Sequence, residues 1–323
     1  MSFPPKPDLT ILFAHVAYQF GQRFAARNTG INYIEVRERA ELDRRIAEAD
    51  VLLVSGLWRN DLIDRGKKLK FIQSISAGVD QYARDKLEQH GIRLASAQGV
   101  NARAVSEHAM ALILAMVRRL PEARDNQEKR IWRGMIGDLT RREDELGGKT
   151  LIIVGLGRIG GRLAQLAKVF DLHVIGIRRN PAAGHNGADE VYGHSELKSL
   201  LPRADFVALT CPLTKETERV IDADALARMK ASAFLVNVAR GRCVDEGALI
   251  EALGNGQLAG AAIDVTVEEP LAPASPLWRL ENAFITPHTA GETRRYEDNV
   301  LDILIENLDR LWRGETMLRN QIV

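Results

Sequence analysis

Thr150-Leu151-Ile152-Ile153-Val154-Gly155-Leu156-Gly157-Arg158-Ile159-Gly160 decides the fold of this chain of 323 residues. A short apolar, strand-like run leads straight into glycines spaced Gly-x-Gly-x-x-Gly. Leu163, Leu166, Ala167 and Phe170 then follow at helical spacing. Strand, glycine turn and helix start, in that order, are the setting in which this spacing binds a dinucleotide. Gly155 permits the tight turn, Gly157 lets the backbone approach a pyrophosphate, and Gly160 lets the helix pack close to the sheet. The helix N-terminus adds N–H groups and partial positive charge for the phosphates.

The next strand runs into Ile177-Arg178-Arg179-Asn180. An Asp or Glu at this place holds the adenosine ribose of NAD, and the expected acid position is Arg178. An acid repels a 2′-phosphate, whereas arginines attract it and bind it in bidentate fashion. The reading is therefore NADP(H) in preference to NAD(H), with Arg178 and Arg179 on the phosphate.

Outward from the glycine loop, short apolar runs alternate with helical patterns, which argues for parallel α/β architecture. Strands are expected at 9–14, 32–36, 51–55, 71–75 and 92–95 in the first third. Others are expected at 173–177, 205–209, 233–237, 261–264 and 283–286. Asn101 is placed to cap a helix that runs to Leu120 and is broken by Pro121. Residues 111–117 of that helix are apolar on all faces and should be buried. The charged, weakly periodic stretch 121–148 reads as an arm or loop. A last helix is expected from about Thr293 to Trp312.

Composition narrows the class. The length suffices for two domains with separate cores. A formal net charge of +1 gives no reason to expect nucleic acid or an anionic membrane as partner. Cys211 and Cys243 are too few for a disulfide framework and suit a reducing cytoplasm. The start at residues 1–7 lacks the regions of a signal peptide, and the apolar run 109–117 is far short of the roughly 20 residues that span a bilayer. The expectation is a cytoplasmic protein without a metal site.

Three downstream stretches carry the chemistry: Asn237-Val238-Ala239-Arg240-Gly241, Asp264-Val265-Thr266-Val267-Glu268-Glu269-Pro270 and Thr286-Pro287-His288-Thr289-Ala290-Gly291. Each sets an ionisable side chain beside residues that end a strand and turn the chain. An Arg, a Glu and a His after a nucleotide fold suggest an anchor, a tuner and a proton carrier beside a redox cofactor. Arginine's planar fork donates two hydrogen bonds in fixed geometry. Imidazole changes charge near neutral pH, and a carboxylate beside it favours the imidazolium and orients the ring.

Together these motifs resemble the D-isomer-specific 2-hydroxyacid dehydrogenase family, most strongly from about Ala77 onward. The resemblance implies two Rossmann- or flavodoxin-like doubly wound domains with a cleft between them. The substrate domain would comprise 1–100 and 291–323, and the dinucleotide domain 101–290. It makes Arg240, Glu269 and His288 the catalytic positions, with Glu269 chosen over Glu268 because it directly precedes Pro270. It places Arg158, Ile159, Cys211, Pro212, Val238, Ala239 and Gly291 beside the cofactor, and Asp264 against the nicotinamide carboxamide. Ala77 and Gly78, in Ser76-Ala77-Gly78-Val79-Asp80, would bind the substrate carboxylate through main-chain N–H groups. Trp58, in Leu57-Trp58-Arg59, could touch the substrate's side chain from an exposed position.

The reaction implied is hydride transfer from NADPH to C2 of a short 2-keto acid such as glyoxylate or hydroxypyruvate, giving the D-2-hydroxy acid. Arg240 would hold the substrate while His288, paired with Glu269, supplies the proton. Alternatives are an NAD-linked D-2-hydroxyacid dehydrogenase, phosphite oxidation on a similar residue set, and a dinucleotide-sensing corepressor acting through protein contacts. A formate dehydrogenase would carry Gln at 269. The family is usually dimeric, and the helix 102–120 and the arm with Trp132 would make that contact. The remaining histidines read as ordinary structural residues, with His108 hydrogen-bonded near the domain junction.

Overall fold

The structure, a computed structural model, describes residues 3–323. Met1 and Ser2, part of the stretch read for a leader, lie outside the described residues. The chain divides into two compact units, Met1–Asn101 with Thr293–Val323, and Ala102–Glu292.

The first unit opens as β1 (Thr10–Ala14), α1 (Phe20–Ala25), β2 (Asn32–Val36), α2 (Arg39–Arg45), β3 (Val51–Val54), α3 (Leu62–Arg65), β4 (Phe71–Ser74), α4 (Arg84–Gln89) and β5 (Arg93–Ala95). The strands pair in parallel in the order β2-β1-β3-β4-β5, a doubly wound topology. Val51, Leu52, Leu53 and Val54 are all buried, as strands covered on both faces must be.

The second unit runs α5 (Ala102–Val117), α6 (Leu120–Glu128), β6 (Thr150–Val154), α7 (Arg158–Val169), β7 (His173–Ile177), β8 (Glu190–Tyr192), α8 (Leu197–Leu200), β9 (Phe206–Leu209), α9 (Ala223–Arg228), β10 (Phe234–Asn237), α10 (Glu246–Gly254), β11 (Gly260–Ile263) and β12 (Ala283–Ile285). Its parallel sheet has the order β12-β11-β10-β9-β6-β7-β8. The winding reverses between β6 and β9, and the crevice at such a point is where doubly wound sheets bind ligands. The apolar face of α5 packs on α7, β10 and β11, burying Val105, Ala109, Leu112, Ile113 and Met116.

The chain then re-enters the first unit as α11 (Tyr296–Trp312), which packs on α1. Val300, Leu301, Leu304 and Leu308 recur on one buried face at helical spacing. Ile322 N–H donates to the Leu94 carbonyl and fastens the chain end beside β5.

The two doubly wound parallel sheets match the expected fold class, and β2, β6 and β7 span the residues read as strands. Two features differ. The helix expected to run to Leu120 stops at Val117, and the stretch read as arm or loop opens as α6, with Pro121 in its first turn, where its missing N–H has no intrahelical partner to lose. The short edge strand β8 was not foreseen, because its residues are only half-buried and carry no apolar run. No helix among the described residues is long and apolar enough to cross a membrane.

Candidate active site

In the second unit the sequence motifs fall in loops at the carboxyl ends of strands. Gly155 follows β6 with φ 105°, a conformation L side chains rarely adopt. A Cβ there would stand 2.5 Å from the backbone nitrogen of Cys211, just beyond β9, so the first glycine lets the two loops meet. At Gly160 a Cβ would stand 2.3 Å from the Gly155 carbonyl oxygen, so the third lets α7 close on the turn. Gly157, the N-cap of α7, faces open space and lacks a side-chain cap. Cys211 offers backbone here. Contact with the Cys243 thiol, then burial, pushes its own thiol upward, and it stays a neutral packing group. Pro212, the next residue, is exposed.

Beyond β7, Arg178 donates from Nη1 to the Gly184 carbonyl at 2.8 Å, which anchors its fork, and Arg179 is exposed. Tyr192 pairs with Ile177, so the residues after β8 lie beside the arginines. Among them His194 has a buried Nδ1 with no hydrogen-bond partner. Burial, then the charge of Arg179, pulls its imidazole below the ordinary range.

Arg240 leaves β10 on a loop shaped by a residue the motif reading left without a role. Asn237 is buried, accepts from Ala239 N–H at 3.0 Å and donates to the Arg240 carbonyl at 3.0 Å. A strand-ending Asn ahead of a turn is the available sequence signal, since its side chain folds the backbone that follows. Arg240 itself is exposed and bonds the Ala239 carbonyl at 2.6 Å, while Val238 and Ala239 are buried beneath it. Gly241 then meets the loop after β11: a Cβ would stand 2.0 Å from the Thr266 carbonyl.

On that loop Glu269 Oε1 accepts from Thr266 N–H at 3.1 Å, and Oε2 lies 2.7 Å from His288 Nδ1. The Glu269–Pro270 peptide bond is cis. A carboxylate accepts only, so Nδ1–H donates and Nε2 remains for a reacting group. His288 has φ 55°, and its N–H donates to the Asp264 carbonyl at 2.8 Å. Both side chains are partly exposed, 48% for His288 and 38% for Glu269, so the pair is reachable.

Asp264, the residue expected at the nicotinamide carboxamide, directly follows β11. Its carboxylate is buried and turned into the 286–290 loop, where it accepts from Thr286 Oγ1 at 2.6 Å, Thr289 N–H at 3.0 Å and Ala290 N–H at 3.1 Å. Gly291 follows, half-buried. Trp58, in the first unit, does not have the exposed position expected of it. It is 2% exposed, packs at a tilt against Tyr82 with ring centres 5.0 Å apart, and donates to Asn60 Oδ1 at 3.0 Å. It is a core residue of its unit. Ala77 is exposed and Gly78 half-exposed in the loop after β4.

Residues 110–290 match the family model described as D-isomer specific 2-hydroxyacid dehydrogenase, NAD binding domain. The chain belongs to this family. It is similar to a glyoxylate reductase of Korarchaeum cryptofilum, 33% identical over 84% of this chain and 82% of that protein. It is also similar to glyoxylate/hydroxypyruvate reductase B of Yersinia enterocolitica, 34% identical over 94% and 93%. A solved D-isomer specific 2-hydroxyacid dehydrogenase family protein from Aeromonas salmonicida superposes with a TM-score of 0.85 at 29% identity, covering 98% and 99%.

As a member of the D-isomer specific 2-hydroxyacid dehydrogenases, the chain is an oxidoreductase of the CH–OH group that works with a nicotinamide dinucleotide. The residues fit that cofactor: the space over Gly157 is open, the N-terminus of α7 has no side-chain cap, and the crevice between β6 and β9 adjoins both. Among the described residues no cluster of three or more His, Cys, Asp or Glu is placed to hold a metal ion.

Proposed function

We propose that the protein reduces a short 2-keto acid of the glyoxylate or hydroxypyruvate type to the D-2-hydroxy acid, with NADPH as reductant. The observation that carries the reading is the His288–Glu269 pair, a reachable imidazole held by a carboxylate at 2.7 Å. Bound NADPH supplies the hydride to C2. Arg240 binds the substrate carboxylate and the C2 oxygen through its planar fork. His288 Nε2 donates the proton to that oxygen, and Glu269 stabilises the imidazolium before the transfer. Ala77 and Gly78 bind the carboxylate through main-chain N–H groups, and the unit carrying them serves as the substrate domain.

The preference for NADPH is supported by Arg178 and Arg179 at the end of β7, where an NAD enzyme carries an acid. The partner-free Nδ1 of His194 beside Arg179 suits the same anionic corner. A homodimer is proposed from the arm after α6. Trp132 is 98% exposed, and Ile131, Met135 and Leu139 are exposed with it, a patch of the kind that marks interfaces.

The test is turnover of NADPH with glyoxylate, hydroxypyruvate, pyruvate and a bulky aromatic 2-keto acid, with chiral analysis of the product from hydroxypyruvate. The expected result is fast reduction of the small acids to the D product. Tight dinucleotide binding without turnover of any of them would overturn the reading.

A further inference from the structure

A partly buried polar chain stands behind His288 and takes no part in the reaction as derived. On α5, His108 Nε2 lies 3.0 Å from Thr286 Oγ1. The Thr286 hydroxyl has one proton, and it donates that proton to Asp264 Oδ1 at 2.6 Å. Nε2 of His108 must therefore carry a proton and donate to Thr286. The same Nε2 lies 3.6 Å from Asp264 Oδ1, so the N–H also faces the carboxylate.

Asp264 in turn holds the loop that bears His288. Its carboxylate takes the N–H groups of Thr289 and Ala290, and its carbonyl takes that of His288. These bonds pin a loop in which His288 occupies the left-handed region, sparsely populated for a residue with a side chain and retained only where the surroundings impose it. The Asp264 side chain is 1% exposed, and a carboxylate so buried is stable only with its donors in place.

We propose that His108 is a positioning residue. Acting through Thr286 and Asp264, it fixes the 286–290 turn so that the His288 ring meets Glu269 and presents Nε2 to the substrate. One histidine moves the proton and a second, on a helix of the same unit, holds the first in place. The inference rests on the reading of His288 as proton donor.

Two measurements test it. In the substrate-free protein, long-range ¹H–¹⁵N correlation of the imidazoles should show His108 protonated at Nε2, with its signal assigned by its loss in His108→Gln. A proton on Nδ1 alone overturns the proposal. In turnover, His108→Phe keeps a ring but removes the donor, and Thr286→Val removes the relay. Both should lower kcat by roughly 3- to 10-fold, the scale of one buried hydrogen bond, and raise the solvent isotope effect as proton donation becomes slower. KM for NADPH should stay within about twofold, because neither change touches the phosphate corner. His108→Gln and Thr286→Ser, which keep a donor, should recover most of the rate. The His108→Phe/Thr286→Val double variant should be no slower than Thr286→Val, since both break one chain.

Active His108→Phe with unchanged kcat and isotope effect overturns the positioning role and leaves the function standing. An inactive wild-type protein removes the function, and this proposal with it.

Discussion

Nδ1 of His288 stands 2.7 Å from Oε2 of Glu269, although the two residues leave different strands of the sheet. The neighbouring Glu268 makes no such contact. It offers its backbone carbonyl to Thr266 Oγ1 at 2.6 Å. Glu269→Gln should therefore lower kcat by on the order of 10²-fold, within the range for general acid–base catalysis, while Glu268→Gln stays within about twofold of wild type. Steady-state rates of both variants decide it. Equal losses would show that the pairing does not matter to turnover.

Gly241 and Gly157 should fail in opposite ways. A Cβ at 241 collides with the Thr266 carbonyl, whereas one at 157 meets nothing within 4 Å. Gly241→Ala should destabilise the protein by about 1–3 kcal/mol or more, the cost of overpacking against atoms that cannot move away. Gly157→Ala should melt as wild type does and bind dinucleotide weakly, because the added methyl occupies the open space of the phosphate cradle. Thermal melts and dinucleotide titrations of the two variants separate these outcomes.

How much of this was legible in the sequence follows from distance along the chain. The glycine loop, the strand entering it and the Arg178–Arg179 pair are local patterns; the strand is β6, and the glycines open α7 as read. Glu269 was distinguished from Glu268 by the proline that follows. The link from His108 to Thr286 was not legible, because it joins residues 178 positions apart and nothing in the motifs that open with Asp264 and Thr286 points to a partner on that helix. Trp58 was misread for a related reason. Its neighbours Asn60 and Tyr82 draw it inward, and nothing in Leu57-Trp58-Arg59 marks that packing.

The arm after α6 should bury its apolar side chains in a second copy. Wild-type protein is expected at twice the chain mass by light scattering. Replacing Trp132 and Met135, both fully exposed in the single chain, with Ser should shift it toward monomer without unfolding it. A monomeric wild-type protein at working concentration would remove the dimer from the account.

At the sheet edge, hydrogen bonds from Arg203, Tyr192 and His173 pull the Glu190 carboxyl down to about 2 from the usual carboxylate range. A depressed carboxyl stabilises the fold above its unfolded pKa and loses that contribution as pH falls through the folded value. The stability gap between wild type and Glu190→Gln should thus be full above about pH 4.5 and narrow from there toward pH 2. Urea midpoints of the two proteins across that window test the sign. A gap that widens with acid would contradict it.

The most direct measurement is kcat/KM of the wild-type protein with glyoxylate, taken with NADPH and with NADH. The account predicts a preference for NADPH of at least about tenfold, equivalent to ~1.4 kcal/mol of phosphate recognition by Arg178 and Arg179. Equal or better rates with NADH would contradict the phosphate site, and no reduction with either would contradict the proposed reaction.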